Sequence, residues 1–351
     1  ALSLVTTTFV GPDRAKALGV WGAVGGLASA LGVFLGGVLT EGPGWRWVMY
    51  VNPIACVVLL PLVFWLIAPQ RPAFRWADFD VAGALTATGG LVALVYAVIQ
   101  APEEGWGSAH TIIGLISAAV LLTAFLILEA RVPNPLLPFS IFKVPGVAVA
   151  NLTQFTVFAG FISMFFFLTL YMQNVLGYSP IDAGLAYLPL CFGVAISAGV
   201  SSALLPIVGA RPLTVIGALV ASAGMFWLSR ISVDGSFVAD LLPGTVVVSV
   251  GLGLVFVAVV AAANAGVPPT MAGLAAALMN TGQQLGGAIG LAVLAAIAAA
   301  RTDSALADGT SVQGAMTSGF AEALIAGSAA MAIAALIALR TTNAKSDAAM
   351  G

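Results

Sequence analysis

The sequence predicts an all-α membrane protein, a bundle of apolar helices that crosses a bilayer many times. Three observations predict it. Sixty per cent of the 351 residues are hydrophobic and only 7% are charged, against about 25% charged in an ordinary soluble domain. Mean hydropathy is +1.08. Apolar runs of about 18 residues or more recur along the chain, long enough to cross hydrocarbon as helices. An open strand edge there would leave N–H and C=O groups unpaired, so each run is predicted helical.

Ten spans follow from the placement of charges, Pro and Gly: 17–40, 46–68, 80–101, 110–130, 145–175, 181–207, 212–230, 241–265, 270–300 and 316–340. With the first connection cytoplasmic, that side receives Arg14, Lys16, Arg71, Arg75, Arg131, Lys143, Arg211, Arg340 and Lys345. The other side holds only Arg46, Arg230 and Arg301. That asymmetry is what the positive-inside rule demands, and it predicts a cytoplasmic start and C-terminus in a cell membrane. A net charge of −2 without like-charge blocks gives no reason to expect nucleic acid or an obligatory protein partner. Cys56 and Cys191 lie alone in apolar stretches and suggest no disulfide or metal site. No constellation of His, Asp, Glu and Cys suggests an enzyme or a cofactor.

The polar residues inside the spans are the informative ones. In 145–175, Asn151, Gln154, Phe155, Phe158 and Phe165 gather on one helical face, with Phe161 and Phe166 at its margins. Two readings stand open, a wall for apolar ligands or rings facing lipid with amides bonding a neighbouring helix. In 270–300, Asn280, Gln283, Gln284 and Gly287 share one face, while Gly282, Gly286 and Gly290 form a separate small-xxx-small seam. The seam is expected to admit a neighbouring helix, and the amides to look into a cavity. Glu322 is the one acid more than a turn inside a span, so it is a proton-coupling candidate and equally a water-exposed mouth residue. Asp80 and Asp182 stand at helix starts and suit capping. Asn264 suits an interhelical hydrogen bond.

The first span gathers Gly22, Gly25, Gly26, Ser29, Gly32 and Gly36 on one side, a seam for close approach. Its whole stretch, GVWGAVGGLASALGVFLGGVLTEGPGWRWVMYVN, resembles the fifth helix and following loop of proton-coupled drug exporters in the major facilitator superfamily. Gly19, Ala28, Gly32, Gly36 and Gly37 fall on that family's antiporter motif, with Ala28 where Gly is usual and Val33 where Pro is usual. PLLPFSIFK, MFFFLTLYMQNVLGYSPIDAGLAYLPL, GARPLTVIG and MAGLAAALMNTGQQLGGAIGLAVL resemble the fourteen-helix drug:proton antiporter branch, in matching order.

The resemblance implies that the ten spans are that fold's helices five to fourteen, with about its first four helices lacking. Residues 1–70 would then end the N-terminal half, 71–131 form a linker helix pair, and 132–351 make a complete six-helix C-terminal half. It implies antiport of a small amphipathic substrate against protons by alternating access, with no cofactor and no metal. Asn151, Gln154, Phe155, Phe158, Phe165, Asn280, Gln283 and Gln284 would line the pathway. A nutrient or metabolite transporter on the same fold is the rival within transport, and a truncated chain inactive by itself is a further one.

Overall fold

The computed structural model describes residues 28, 31–32, 34–66, 80–133 and 135–344. Regular structure among the described residues is entirely helical, and nine helices there are long and apolar enough to cross a membrane. Of the first predicted span, residues 34–41 form a continuous helical segment, while Gly19 lies outside the described residues. Helix α1 (Arg46–Leu66) carries Pro53 and Pro61 and buries no residue.

Helices α2 (Val81–Glu104) and α3 (Ala109–Glu129) pack as an antiparallel hairpin. Asp80 caps α2 by accepting the Gly83 N–H at 2.7 Å, and Ser108 caps α3 by accepting from Thr111. Each cap satisfies a donor that the first helical turn leaves unpaired. Gly105, at φ 94°, makes the turn between them. The end where α2 begins is termed the lower end, its opposite the upper end.

The remaining helices form one bundle. They are α4 (Val147–Leu170), α5 (Pro180–Ala186), α6 (Leu188–Val208), α7 (Ala210–Leu228), α8 (Leu242–Asn264), α9 (Ala272–Ala307) and α10 (Val312–Ala338). The span predicted at 181–207 is broken at Tyr187, where α5 gives way to α6. Ser179 and Asp182 form the start of α5, the serine hydroxyl accepting the Asp182 N–H and donating to its carboxylate. A single π turn, Tyr171–Val175, replaces the plain helix predicted at the end of α4, and another, Phe237–Leu241, extends the predicted 241–265 span by one turn before α8. Helix α9 runs to Ala307, two turns beyond its predicted end at 300, because the Ala-rich stretch continues until Gly309 at φ 82° turns the chain.

The packing repeats itself. Helix α4 lies against α9 and α10, as α8 lies against α6 and α7; α4 touches α8, and α7 touches α10. The triplets α4–α7 and α8–α10 therefore correspond, and α4 and α8 run in opposite directions. This is the inverted-repeat plan of membrane transport bundles. Small residues bring the backbones together: a Cβ on Gly251 would lie 2.5 Å from the Gly217 carbonyl oxygen, and one on Gly224 2.6 Å from the Val248 nitrogen. Tyr171, Phe167, Met164, Leu252 and Leu324 fill the spaces between. At the lower end the segment after α10 is fastened across the α6–α7 turn, with Arg211 Nε donating to the Thr341 carbonyl at 2.7 Å and the Ala210 N–H to that of Ala344.

Candidate functional site

Helix α9 presents two faces with different surroundings. On the first, Gly282, Gly286 and Gly290 meet α4: a Cβ on Gly282 would lie 3.6 Å from the Asn151 carbonyl, one on Gly286 2.8 Å from the Phe155 carbonyl carbon, and one on Gly290 2.6 Å from the Ala159 oxygen. At Gly286 and Gly290 only a residue without a side chain lets α4 come so near, whereas the approach at Gly282 is an ordinary van der Waals contact. On the second face, Asn280 and Gln284 are exposed and Gln283 is half-buried, and none of the three makes a side-chain hydrogen bond among the described residues. Gly287, which the sequence places on the amide face, is buried and packs on the Ile162 side chain of α4, so that face meets α4 at this one point. The two faces expected from the sequence thus occupy different environments.

The α4 residues predicted to share one face are divided. Asn151 donates from Nδ2 to the Val147 carbonyl at 2.8 Å and faces α9 beside Gly282. Gln154 is buried, at 1% exposure, and its Oε1 has no partner. Phe155 is half-buried with its backbone under Gly286. Phe158 and Phe165 belong to a chain of rings. Phe158 stacks on Phe256 of α8 with centroids 5.5 Å apart, Phe256 meets Phe161 at 5.4 Å, Phe161 meets Phe165 at 5.1 Å, and Phe165 meets Tyr187 at 4.7 Å. Such offset and edge contacts favour each other through the ring quadrupoles. The Tyr187 hydroxyl, which ends the chain, donates to the Phe165 carbonyl at 2.9 Å and lies 3.0 Å from Thr169 Oγ1. Phe166 stands apart and exposed.

Phe256 and Tyr187 were not among the residues expected. Phe256 is a lone ring in VFVAVV, and a single aromatic in a β-branched run has no periodicity to mark it. Asn264 corrects another expectation: it is exposed and donates to Val260 of its own helix, with no interhelical bond among the described residues.

Glu322 is exposed on the side of α10 opposite its buried residues Phe320, Ala323, Leu324, Gly327 and Met331. It is not brought together with the amides. In the helix whose sequence resembles the antiporter motif, Ala28 is exposed, and a Cβ on Gly32 or Gly36 would meet nothing within 4 Å among the described residues. The close approach falls instead on Gly37, where a Cβ would lie 2.7 Å from the Pro180 oxygen. One turn on, the Glu41 carboxylate accepts the Ile181 N–H at 3.2 Å, joining this helix to α5 at the upper end. A groove of about 380 Å³ on α3, lined by Ala119, Val120, Thr123, Ala124 and Ile127, is walled almost wholly by methyl groups and lies away from the amides.

Paired, opposed three-helix repeats around an amide and aromatic wall define a polytopic membrane protein built as transport bundles are. The chain belongs to the Major Facilitator Superfamily, whose family model matches residues 1–291. It is 40% identical to the puromycin resistance protein of Streptomyces alboniger, over 89% of this chain and 62% of that protein. It is 38% identical to the cephamycin export protein of Amycolatopsis lactamdurans, over 88% of this chain and 64% of the relative. A multidrug resistance protein of Mycobacterium tuberculosis is 34% identical over 86% of this chain and 56% of its own length. The chain thus spans about three fifths of the length of these relatives.

Proposed function

We propose that the chain is the greater part of an exporter that moves antibiotics or other amphipathic small molecules out of the cell in exchange for protons, by alternating access. The observation that carries this is the exposed amide face of α9, a helix packed on α4, together with the ring chain that joins α4 to α8, in a chain whose relatives bear the names of resistance and export proteins. A flat or greasy substrate gains area on Phe158, Phe165 and Phe256, while Asn151, Asn280, Gln283 and Gln284 offer hydrogen bonds without fixed charge. Phe155, half-buried as the three rings are, belongs with them, and the buried Gln154 lies behind them.

In this proposal the lower end is cytoplasmic, as the basic residues demand, and the domain limits at 70 and 131 separate the end of one half, a linker hairpin and a whole second half. The contact of Gly37 and Glu41 with α5 closes the upper end. Glu322 is the coupling candidate inside a described span; it stands on the side of α10 opposite that helix's buried residues, and this reading assigns coupling to an acid outside the described residues.

The test is efflux of a fluorescent drug from cells making the full-length protein, with and without a protonophore. Loss of efflux on collapse of the proton gradient is expected. Efflux that survives the protonophore overturns antiport, and absence of efflux for all amphipathic drugs tried overturns the substrate class.

A further inference from the structure

Two acids at the lower end of the α2–α3 hairpin are more deeply enclosed than their places in the sequence suggest. Asp80 is 8% exposed and Glu129 3%. Each carboxylate spends one oxygen on the backbone, Asp80 Oδ1 accepting the Gly83 N–H at 2.7 Å and Glu129 Oε2 the Leu137 N–H at 3.1 Å. The other two oxygens, Asp80 Oδ2 and Glu129 Oε1, are buried and have no hydrogen-bond partner among the described residues.

These two oxygens converge on the same point. A Cβ on Gly83 would collide with Asp80 Oδ2, would lie 2.8 Å from Asp80 Cγ, and would lie 3.1 Å from Glu129 Oε1. The carboxyl groups are therefore no more than about 6 Å apart, the range in which like charges interact strongly. Glycine at 83 leaves the space between them open. Two bare carboxylates facing each other out of water are costly unless a positive charge lies with them. The basic residues described on the lower side of the packed elements, Arg131 and Lys143, are both exposed. Glu103, Glu104 and His110 lie at the upper end of the hairpin, as do Arg301 and Asp303 on α9, the helix packed against α2. Arg71 and Arg75 lie outside the described residues.

We propose that Asp80 and Glu129 form a site for one compact cation, a proton or an alkali metal ion, held between Oδ2 and Oε1. When it is a proton, it comes from water at the lower end, makes one O–H bond to either carboxylate, and is hydrogen-bonded by the other, so the pair carries a single negative charge. When it is an alkali ion, hard carboxylate oxygens are suitable ligands. In both cases the cation clamps the start of α2 to the end of α3.

The experiment uses the purified full-length protein in nanodiscs. Its thermal midpoint is followed from mildly acidic to mildly alkaline pH in choline chloride, then with sodium or potassium chloride at equal ionic strength, for wild type, Asp80→Asn and Glu129→Gln. Asn keeps the cap oxygen, and either amide donates to the opposite carboxylate. For a proton, the wild type loses midpoint as pH rises, a protonated-carboxyl band appears in its infrared difference spectrum, and both variants lack the band. For an alkali ion, sodium or potassium restores the midpoint at alkaline pH in the wild type and in neither variant. A wild type indifferent to pH and to these ions overturns the proposal, as does a dependence that both variants retain. Should a variant not fold, the wild-type ion and infrared responses still decide.

Discussion

Ser222 of α7 and Ser328 of α10 hold one another reciprocally: the hydroxyl of Ser222 donates to the Ser328 carbonyl at 2.8 Å, and that of Ser328 to the Ser222 carbonyl at 3.0 Å. These helices are equivalent members of the two triplets, so the exchange sits where the repeat relation maps the bundle onto itself. Interhelical hydrogen bonds of this kind contribute about 0.6 kcal/mol each in a membrane protein. Ser222→Ala and Ser328→Ala are each expected to lower the thermal midpoint slightly. The double variant should cost less than the sum of the singles, because each single change already disturbs the shared pair. Strict additivity in the thermal double-mutant cycle would show that the two hydroxyls act separately.

The two faces of α9 make a sharper prediction. Gly286→Leu drives a side chain into the backbone of Phe155, where nothing flexible can give way, so folded protein in the membrane should fall steeply. Gln284→Leu changes an exposed residue with no side-chain hydrogen bond among the described residues, so yield and thermal midpoint should hold while the pattern of exported drugs shifts. Size-exclusion profiles and a resistance panel read the two effects apart. Equal loss of folded protein in both variants would make the amides packing groups.

Phe256 tests the aromatic wall from the helix opposite. Its ring touches both Phe158 and Phe161, and an aromatic pair contributes about 0.5–1.5 kcal/mol beyond its area. Phe256→Ala is expected to weaken apparent affinity for planar aromatic drugs by about five-fold, roughly 1 kcal/mol, with Phe256→Tyr close to wild type. Ligand binding by fluorescence quenching in nanodiscs measures it. A uniform loss across aromatic and aliphatic substrates would place the ring in helix packing alone.

Most of the fold was legible because spans depend on local composition. Hydropathy located each helix, and small-xxx-small spacing singled out Gly282, Gly286 and Gly290, whose neighbours are indeed backbone atoms of α4. What escaped the sequence depends on which segments meet. The break at Tyr187 has a local cause in Pro189, which has no N–H to bond the Leu185 carbonyl, but the bond from the Tyr187 hydroxyl to the Phe165 carbonyl, 22 residues away, is announced by no local pattern. Asp80 was legible as a helix cap, but its proximity to Glu129 arises only when the α2–α3 hairpin closes. On the Phe face of α4 the neighbouring helices bury Gln154 while Phe155, Phe158 and Phe165 are alike half-buried, a difference that helical periodicity alone does not carry.

Glu322 offers a test by charge removal. On the exposed side of α10 it makes no ion pair with a described residue, so Glu322→Gln should leave folding and protonophore-sensitive efflux unchanged. Loss of the pH gradient dependence in proteoliposomes, at wild-type binding of the drug, would instead make Glu322 the coupling acid.

The upper-end contact between the 34–41 segment and α5 carries the last prediction. Gly37 lies flat against the Pro180 carbonyl, and Glu41 accepts the Ile181 N–H. Both contacts cross between parts of the chain that alternating access would move apart. Gly37→Leu places carbon atoms where the α5 backbone sits, so it should hold the upper end open. Glu41→Gln keeps an acceptor oxygen but loses the charge that strengthens the bond, so it should shift the balance in the same direction by less. Cysteine pairs flanking residues 38 and 183 on a background without Cys56 and Cys191 would read the change as slower cross-linking. Gly37→Leu should slow it most and abolish export at near-normal membrane levels, because a transporter held in one state cannot complete a cycle. Unchanged cross-linking with full export would reduce the contact to a passive one, and Gly37 would then be an ordinary packing glycine.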